Sequence, residues 1–315
     1  MRADFDELTR PHRRELLAHC YRMSGSVHDA EDLLQETMLR AWRAADSYQA
    51  ERASVRTWLY RIATNVCLTA LESRARRPLP AGLVGRSDDP YAPIAPNNEI
   101  AWLEPFPDAQ AIDPAAAAED RETLRLAFVA ALQMLSARQR AVLVLRDVLQ
   151  WSAAETAQSL GLTVTAVNSG LRRARTRLRA QPLADPERAA APVDRSLLDR
   201  YVNAFQRADV DALVALLSDE VVLEMPPAPL WYRGVEHYGS FMARVYALRG
   251  STWRTRPVAA NGQPAFVAYT HDEHGGFRAH SLQVLTIEDG LIVHNVVFAA
   301  ATLFAYFDLP DRLPD

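Results

Sequence analysis

A single glycine, Gly161, separates two amphipathic helical patterns in the middle of the chain. Ser152 stands where it can cap the first helix, and Thr163 where it can cap the second. Gly161 lies at the junction, where a sharp turn favours a residue that adopts positive φ without strain. Along the second helix, apolar residues recur at steps of four, three and four, which places them on one face: Val167, Leu171, Ala174 and Leu178. This spacing predicts a helix-turn-helix over residues 152–180.

The opposite face of the second helix is polar near its start and basic near its end. A helix that enters the major groove needs small polar side chains to reach base edges and arginines to contact phosphates. The alternative is an ordinary amphipathic helix with a solvated basic face. Five arginines and no acidic residue within 172–179 favour DNA binding instead. The residues predicted to contact a duplex are Thr165, Asn168, Ser169, Arg172, Arg173, Arg175 and Arg179.

Charge is strongly segregated along the chain, although the net charge is only −4. Residues 119–181 carry ten arginines and five acidic residues, and they lie between acidic segments at 79–118 and 182–315. A basic block of this kind is typical of nucleic-acid binding. Residues 79–118 also contain seven prolines and few periodic apolar positions, which predicts a semi-rigid linker.

The N-terminal segment also has helical periodicity. Ser26 can cap a helix with an apolar stripe on one side and acidic residues on the other. A further helix is expected over about 53–75. Trp42 and Trp58 fall at helical spacing with apolar residues, so we expect both to pack in a core. Cys20 and Cys67 lie in helical patterns and are expected to be small buried hydrophobes rather than a disulfide or a metal pair.

Two sets of motifs in this order resemble the sigma-70 family, and more narrowly its extracytoplasmic-function (ECF) branch. Residues 138–147, 151–163 and 166–175 are similar to region 4, and residues 29–42 and 57–65 are similar to region 2. The resemblance implies a cytoplasmic sigma factor, not an enzyme, that directs RNA polymerase core to promoters and initiates transcription. Two positions depart from many relatives: Asn168 and Gly170 stand where a basic residue is common, so promoter contacts there cannot be carried over.

The resemblance implies that region 2 docks on the β′ clamp of RNA polymerase and melts the −10 element. It implies that region 4 binds the −35 element and the β flap. An acidic and amide surface suits a basic partner, with a solvated helix face as the alternative; its residues are Asp29, Glu31, Asp32, Gln35 and Glu36. Single-stranded DNA is held by aromatic stacking and backbone charge, and the candidates for that role are Tyr48, Arg56, Trp58, Arg61 and Asn65.

Beyond residue 194 the pattern becomes α+β, with turns expected at Asn261-Gly262, Gly275-Gly276 and Asp289-Gly290. The element order and residues 209–221 resemble SnoaL-like members of the NTF2-like superfamily, whose curved sheet surrounds a conical pocket. A small-molecule ligand is therefore a candidate partner, and plain core is the alternative role for each candidate lining residue: Met225, Trp231, Tyr232, Phe241, Tyr246, Trp253, His280 and Phe298. We expect no metal, cofactor or catalytic residue. His271 and His274 precede a hairpin turn, where exposed polar residues are common.

The predicted fold class is multidomain: all-α region 2 and region 4 domains followed by an α+β NTF2-like cone domain. The predicted segments are 1–78 (region 2), 79–118 (linker), 119–181 (region 4), 182–193 (linker) and 194–315 (SnoaL-like). No run of eighteen apolar residues is present, so no membrane partner is expected. Two readings compete with a sigma factor whose third domain regulates it in cis. One is a helix-turn-helix regulator with a ligand-sensing domain, and the other is an enzyme with a DNA-binding extension.

Overall fold

The computed structural model describes residues 4–72, 76–111, 121–179 and 195–315. The chain divides into two compact units: Met1–Arg77 with Asp108–Pro186, and Pro78–Pro107 with Glu187–Asp315. The domain junctions that the sequence predicts near residue 118 and across 182–193 lie outside the described residues.

The N-terminal part of the first unit is built from capped helices. The side chain of Ser26 accepts the Asp29 N–H at 3.1 Å, which confirms the predicted start of the third helix. Ser54 caps the fourth helix through the Thr57 N–H in the same way. The helices are α1 (Phe5–Thr9), α2 (Arg13–Ser24), α3 (Val27–Arg43) and α4 (Val55–Leu71), and a short helix, α5 (Asp108–Ala111), follows.

The helix-turn-helix is present as predicted. Ser152 and Glu155 form a capping box at the first helix, and Gly161 ends that helix with a φ of 62°. Thr163 accepts the Ala166 N–H at 3.1 Å at the start of the second. The helices of this part are α6 (Leu126–Gln133), α7 (Ala137–Leu143), α8 (Ala153–Leu160) and α9 (Val164–Arg179), with a π-helical turn at Val144–Val148 between α7 and α8.

One core joins the two parts of the first unit. Leu145 and Trp151, beside the helix-turn-helix, are buried in a cluster with Leu16, Leu59 and Tyr60 from the N-terminal helices. The rings of Tyr60 and Trp151 meet edge to face with centroids 6.5 Å apart. The N-terminal helices and the helix-turn-helix are therefore packed as one body.

The second unit is a seven-stranded sheet with helices against it. The path of the sheet is β2-β1-β6-β5-β4-β3, and β7 pairs with β5. The strands are β1 (Leu217–Glu224), β2 (Trp231–Arg233), β3 (Trp253–Ala260), β4 (Gln263–His271), β5 (Phe277–Glu288), β6 (Leu291–Phe298) and β7 (Arg312–Leu313), and the helices are α10 (Arg195–Gln206), α11 (Val210–Val214) and α12 (Val235–Arg249). Residues in the left-handed region occupy all three predicted hairpin turns, where Asn261 has φ 59° and Asp289 has φ 51°.

Residues 78–107, called the strap below, pack on this sheet. Ser87 N–H donates to the Trp231 carbonyl on β2, and Pro107 forms a β-bridge with Ala260 at the end of β3. β2 and β3 are the two edge strands of the sheet path, so the strap contacts both edges. The sequence predicts a linker here; the structure places these residues within the second unit.

Candidate nucleic-acid interface

The predicted DNA-contacting residues of α9 lie on its open side. Thr165, Asn168, Arg172, Arg173, Arg175 and Arg179 are exposed, and Ser169 is half-buried. The opposite side of the helix is buried by Val167, Gly170, Leu171 and Ala174. Polar side chains occupy the first half of the exposed face and arginines the second half, an order that suits base edges and then phosphates.

One of the five arginines of α9 forms an ion pair with another residue of the chain. Arg175 donates from Nε and Nη2 to the carboxylate of Asp147, at 2.9 and 2.7 Å. Asp147 lies in the π-helical turn that precedes the helix-turn-helix. This bidentate pair ties α9 to that turn.

The predicted polymerase-facing residues of α3 include both exposed side chains and side chains that form ion pairs. Asp32 and Gln35 are exposed, and Glu31 is half-buried. Glu36 pairs with Arg40 at 2.6 Å on the helix surface. Asp29 is mostly buried and pairs with Arg77 at 2.7 Å, which fits a structural role better than a docking role.

Further along α3, the prediction that Trp42 packs in a core is wrong. Its side chain is 46% exposed, and Leu39, one turn earlier on the same helix, is 42% exposed. Helical spacing with apolar residues does not distinguish a core position from an apolar surface. The two side chains extend the acidic surface of α3 with an apolar patch.

The residues predicted to bind single-stranded DNA lie on or beside α4. The Tyr48 ring lies 5.0 Å from that of Trp58, which is half-buried, and the Tyr48 hydroxyl donates to the Ala53 carbonyl. The Arg56 side chain lies over the Tyr60 ring and pairs with Glu15 at 2.8 Å. Of the remaining two candidates, Arg61 is half-buried and Asn65 is exposed. The structure therefore brings Tyr48 and Trp58 together, and the other three candidates lie on α4.

A buried arginine joins the two parts of this unit. Arg140 on α7 is 4% exposed, and its guanidinium donates to the carbonyls of Met23, at the end of α2, and of Leu132, near the end of α6. Burial lowers the pKa of Arg140 to about 10. Carbonyls at helix C-termini carry partial negative charge and stabilise a cation. Sequence reasoning missed this contact because Arg140 looks like any other arginine of the basic block.

The candidate pocket residues of the second unit are mainly core. Met225, Tyr232, Phe241, Tyr246, Trp253 and Phe298 are buried, whereas Trp231 and His280 are half-buried. The ring of Phe205 packs edge to face on Trp253 at 5.2 Å. The His280 ring also meets that of Trp253 edge to face, with centroids 5.2 Å apart, and burial lowers the pKa of His280 to about 4.

A buried acid and imidazole were not predicted from sequence. Glu224 on β1 is 1% exposed and accepts from His294 Nε2 on β6 at 2.9 Å. Its other carboxylate oxygen accepts the backbone N–H of Ala81 in the strap at 2.6 Å. The sequence feature that could have indicated this buried acid is a single glutamate near the end of an otherwise apolar run, 221–225.

Metal and membrane signals are not found in the described part of the chain. Over the residues that the structure describes, no three or more His, Cys, Asp or Glu side chains are grouped so that they could hold a metal ion. In the same residues, no helix is both long and apolar enough to cross a bilayer.

Comparison with protein families matches three segments of the chain. Residues 8–77 match Sigma-70 region 2, residues 125–178 match Sigma-70 region 4, and residues 198–295 match the SnoaL-like domain. These segments fall within the predicted region 2, region 4 and SnoaL-like domains.

Individual relatives match over nearly the whole chain. The ECF RNA polymerase sigma factor SigG of Mycobacterium tuberculosis is 49% identical, over 99% of this chain and 85% of its own length. SigJ of the same organism is 32% identical, over 89% of this chain and 86% of its own length. The crystal structure of M. tuberculosis SigJ superposes with a TM-score of 0.66 at 26% identity, and the match covers 98% of this chain and 99% of that one.

Proposed function

Since the chain belongs to the ECF sigma factors of the sigma-70 family, we propose which surfaces carry out initiation and what the C-terminal domain adds. As a sigma factor it binds RNA polymerase core and promoter DNA. We assign duplex recognition to the exposed face of α9, core docking to the exposed face of α3, and −10 strand capture to the residues around α4. The exposed polar-then-basic face of α9 carries this assignment.

The assignment of α3 rests on its exposed acids and apolar patch. Asp32 and Gln35 offer charge and hydrogen bonding, and Leu39 and Trp42 offer apolar area, a combination common at protein interfaces. The assignment of α4 rests on the Tyr48 and Trp58 rings and on the polar and basic side chains of this helix. Trp58 packs against the core of the first unit, and Arg56 pairs with Glu15. Tyr48, Arg61 and Asn65 are therefore the better candidates for contact with a displaced strand.

We further propose that the C-terminal domain regulates the two sigma regions in cis and does not act as an enzyme. The aromatic side chains that could line a cone pocket pack on one another, as Phe205 and Trp253 do. The strap between region 2 and region 4 packs on this domain, which gives the domain a direct physical connection to both regions. A domain tethered in this way acts at high effective concentration.

In-vitro transcription with purified core polymerase tests both proposals. The full-length chain should confer promoter-specific initiation on core, and a chain truncated after Gln181 should initiate at a different rate. If neither chain confers initiation, the assignment of the initiation surfaces fails. If both initiate equally, regulation by the C-terminal domain is ruled out. Turnover of a small hydrophobic substrate by the full-length chain would favour the enzyme reading instead.

A further inference from the structure

Two exposed side chains near the start of α9, Val164 and Asn168, have no evident role in the packing of the first unit. Val164 is 45% exposed, although it is a large apolar residue. Asn168 follows four residues later, on the same side of the helix, and is also exposed. An apolar group and an amide presented together in this way are available to a partner of the chain.

The amide of Asn168 is not occupied within its own domain. Across the residues that the structure describes, the Asn168 side chain takes part in no hydrogen bond or ion pair. Arg175, two turns further along α9, differs because Asp147 holds its guanidinium at two nitrogens. Asn168 can therefore offer a donor and an acceptor side by side to another molecule.

The orientation of α9 is fixed by contacts on its other side and at its start. An added Cβ on Gly170 would lie 3.9 Å from the methyl groups of Val142, so the two helices α9 and α7 approach closely. The Thr163 hydroxyl accepts the Ala166 N–H at 3.1 Å and caps the helix. Because the helix is held in this way, Asn168 is presented in a defined direction, as recognition of a base requires.

The major groove presents a different set of groups at each base pair. Adenine offers the N7 acceptor beside the N6 amino donor, and these match the N–H and the oxygen of an asparagine amide. Guanine offers two acceptors, N7 and O6, which match arginine or lysine and leave an amide oxygen opposite another oxygen. An exposed asparagine in the base-reading half of a recognition helix therefore favours adenine.

The exposed Val164 matches a second feature of the groove. Thymine is the base that presents an apolar group there, its C5 methyl, and contact with the valine methyl groups removes both from water. Four residues of α-helix rise about 6 Å, and consecutive base pairs are about 3.4 Å apart. Val164 and Asn168 can thus reach base pairs that are one or two steps apart.

We propose that Asn168 is the specificity-determining residue of α9 and selects an adenine in the −35 element, while Val164 contacts a thymine methyl one or two base pairs away. This inference rests on the proposed function and deepens it, because it names the base pairs that α9 reads. Arg172 and Arg173, in the second half of the helix, contact phosphates and position α9 without choosing a sequence. One amide therefore sets the preference for A·T over G·C at this position.

Selection from a library of random-sequence duplexes tests the role of Asn168. The full-length chain bound to core polymerase selects the duplexes, and the enriched −35 sequence is compared between the parent and Asn168→Ala. The parent should enrich adenine at one position that Asn168→Ala no longer distinguishes, and the other positions should keep their preferences. Asn168→Arg should move that position towards guanine. The proposal is overturned if every adenine position of the parent element keeps its preference in Asn168→Ala.

Modified bases in the selected duplex identify the atoms in contact. Replacement of the selected adenine by 7-deazaadenine removes N7, and it should weaken binding of the parent several-fold while leaving binding of Asn168→Ala unchanged. Replacement of the thymine by uracil removes the methyl group, and it should weaken binding of the parent but not of Val164→Ala. Competition binding measures both pairs. Equal losses in the parent and in the matching variant would overturn the assignment of that contact.

Arg172→Ala is the contrasting variant, because a phosphate contact carries no sequence information. It should weaken binding to all duplexes alike and keep the adenine preference. If the parent selects no −35 sequence, or if Arg172→Ala binds as the parent does, the assignment of α9 in the proposed function fails. If Arg172→Ala weakens binding and Asn168→Ala retains every adenine preference, the selection of adenine by Asn168 fails alone.

Discussion

Arg175 and Asp147 form a bidentate ion pair that links the recognition helix α9 to the π-helical turn before it, with N–O distances of 2.9 and 2.7 Å. The Arg175 side chain remains half exposed at 52%. The same guanidinium therefore lies on the DNA-facing side while it is held by an acid of its own domain. A DNA phosphate would have to compete with Asp147 for the Arg175 guanidinium. Arg172 is exposed on the same helix and does not take part in this ion pair.

Arg172→Ala should lower the affinity for a duplex containing the −35 element by about tenfold and reduce the salt slope by about one counterion. Asp147→Asn should raise the affinity, because it removes the charge that holds the Arg175 guanidinium away from a DNA phosphate. Fluorescence anisotropy over a series of salt concentrations measures both. Equal binding by Arg172→Ala and the parent would contradict the assignment of α9 as the recognition helix.

Asp32→Arg should weaken binding to core polymerase, because it reverses a charge on the exposed face of α3. The replacement lies on a solvated surface, so circular dichroism should show an unchanged fold. Asp46→Arg is a matched control, since Asp46 is an exposed acid of the same unit that lies outside α3. Binding of labelled core should fall several-fold for the first variant only; an equal loss for both would indicate a non-specific effect of charge.

The helix-turn-helix could be predicted from sequence because its determinants are local. Ser152, Gly161 and Thr163 act on neighbouring backbone groups, and all three do so in the structure. The turns of the second unit were predictable for the same reason. Sequence patterns of this kind report on a few consecutive residues.

The contacts of the strap could not be predicted in this way. Glu224 and Ala81 are 143 residues apart, and Phe106 and Asn261 are 155 apart. No periodicity links such pairs, and proline content indicates only that the segment is not helical. Trp42 illustrates the converse error, since local spacing indicated burial for a side chain that the fold leaves exposed.

Gly170→Ala should stabilise the first unit by about 0.5–1 kcal/mol. Glycine in a helix interior costs about that much relative to alanine. An added Cβ would lie 3.9 Å from the methyl groups of Val142, an ordinary van der Waals contact. Gly161→Ala is the contrasting variant: its added Cβ would meet open space, but the φ of 62° at this position should make the replacement destabilising. In urea unfolding, the midpoint of Gly170→Ala should lie above that of the parent and the midpoint of Gly161→Ala below it. A lower midpoint for Gly170→Ala would show that the helix needs glycine at position 170.

His19 should make the first unit sensitive to acid. It is fully buried and hydrogen-bonds to the Thr64 hydroxyl at 3.0 Å. Burial, aided by the charge of Arg22, lowers its pKa to about 3. Below pH 6.5 His19 is therefore protonated in the unfolded chain, whereas in the folded chain it stays neutral down to about pH 3. The contribution of neutral His19 to the free energy of unfolding is complete above pH 6.5 and is lost as the pH falls.

The expected loss is about 1.4 kcal/mol for each pH unit below 6.5. His19→Gln can keep a hydrogen bond to Thr64 and cannot titrate, so it should flatten the decline in unfolding free energy between pH 7 and pH 5. His280, whose pKa burial lowers to about 4, adds a similar decline to the second unit. Urea unfolding therefore has to be followed separately in each unit, and His19→Gln should change the slope of the first unit alone. An unaltered slope there would show that His19 takes up its proton in the folded chain, and the prediction would be wrong.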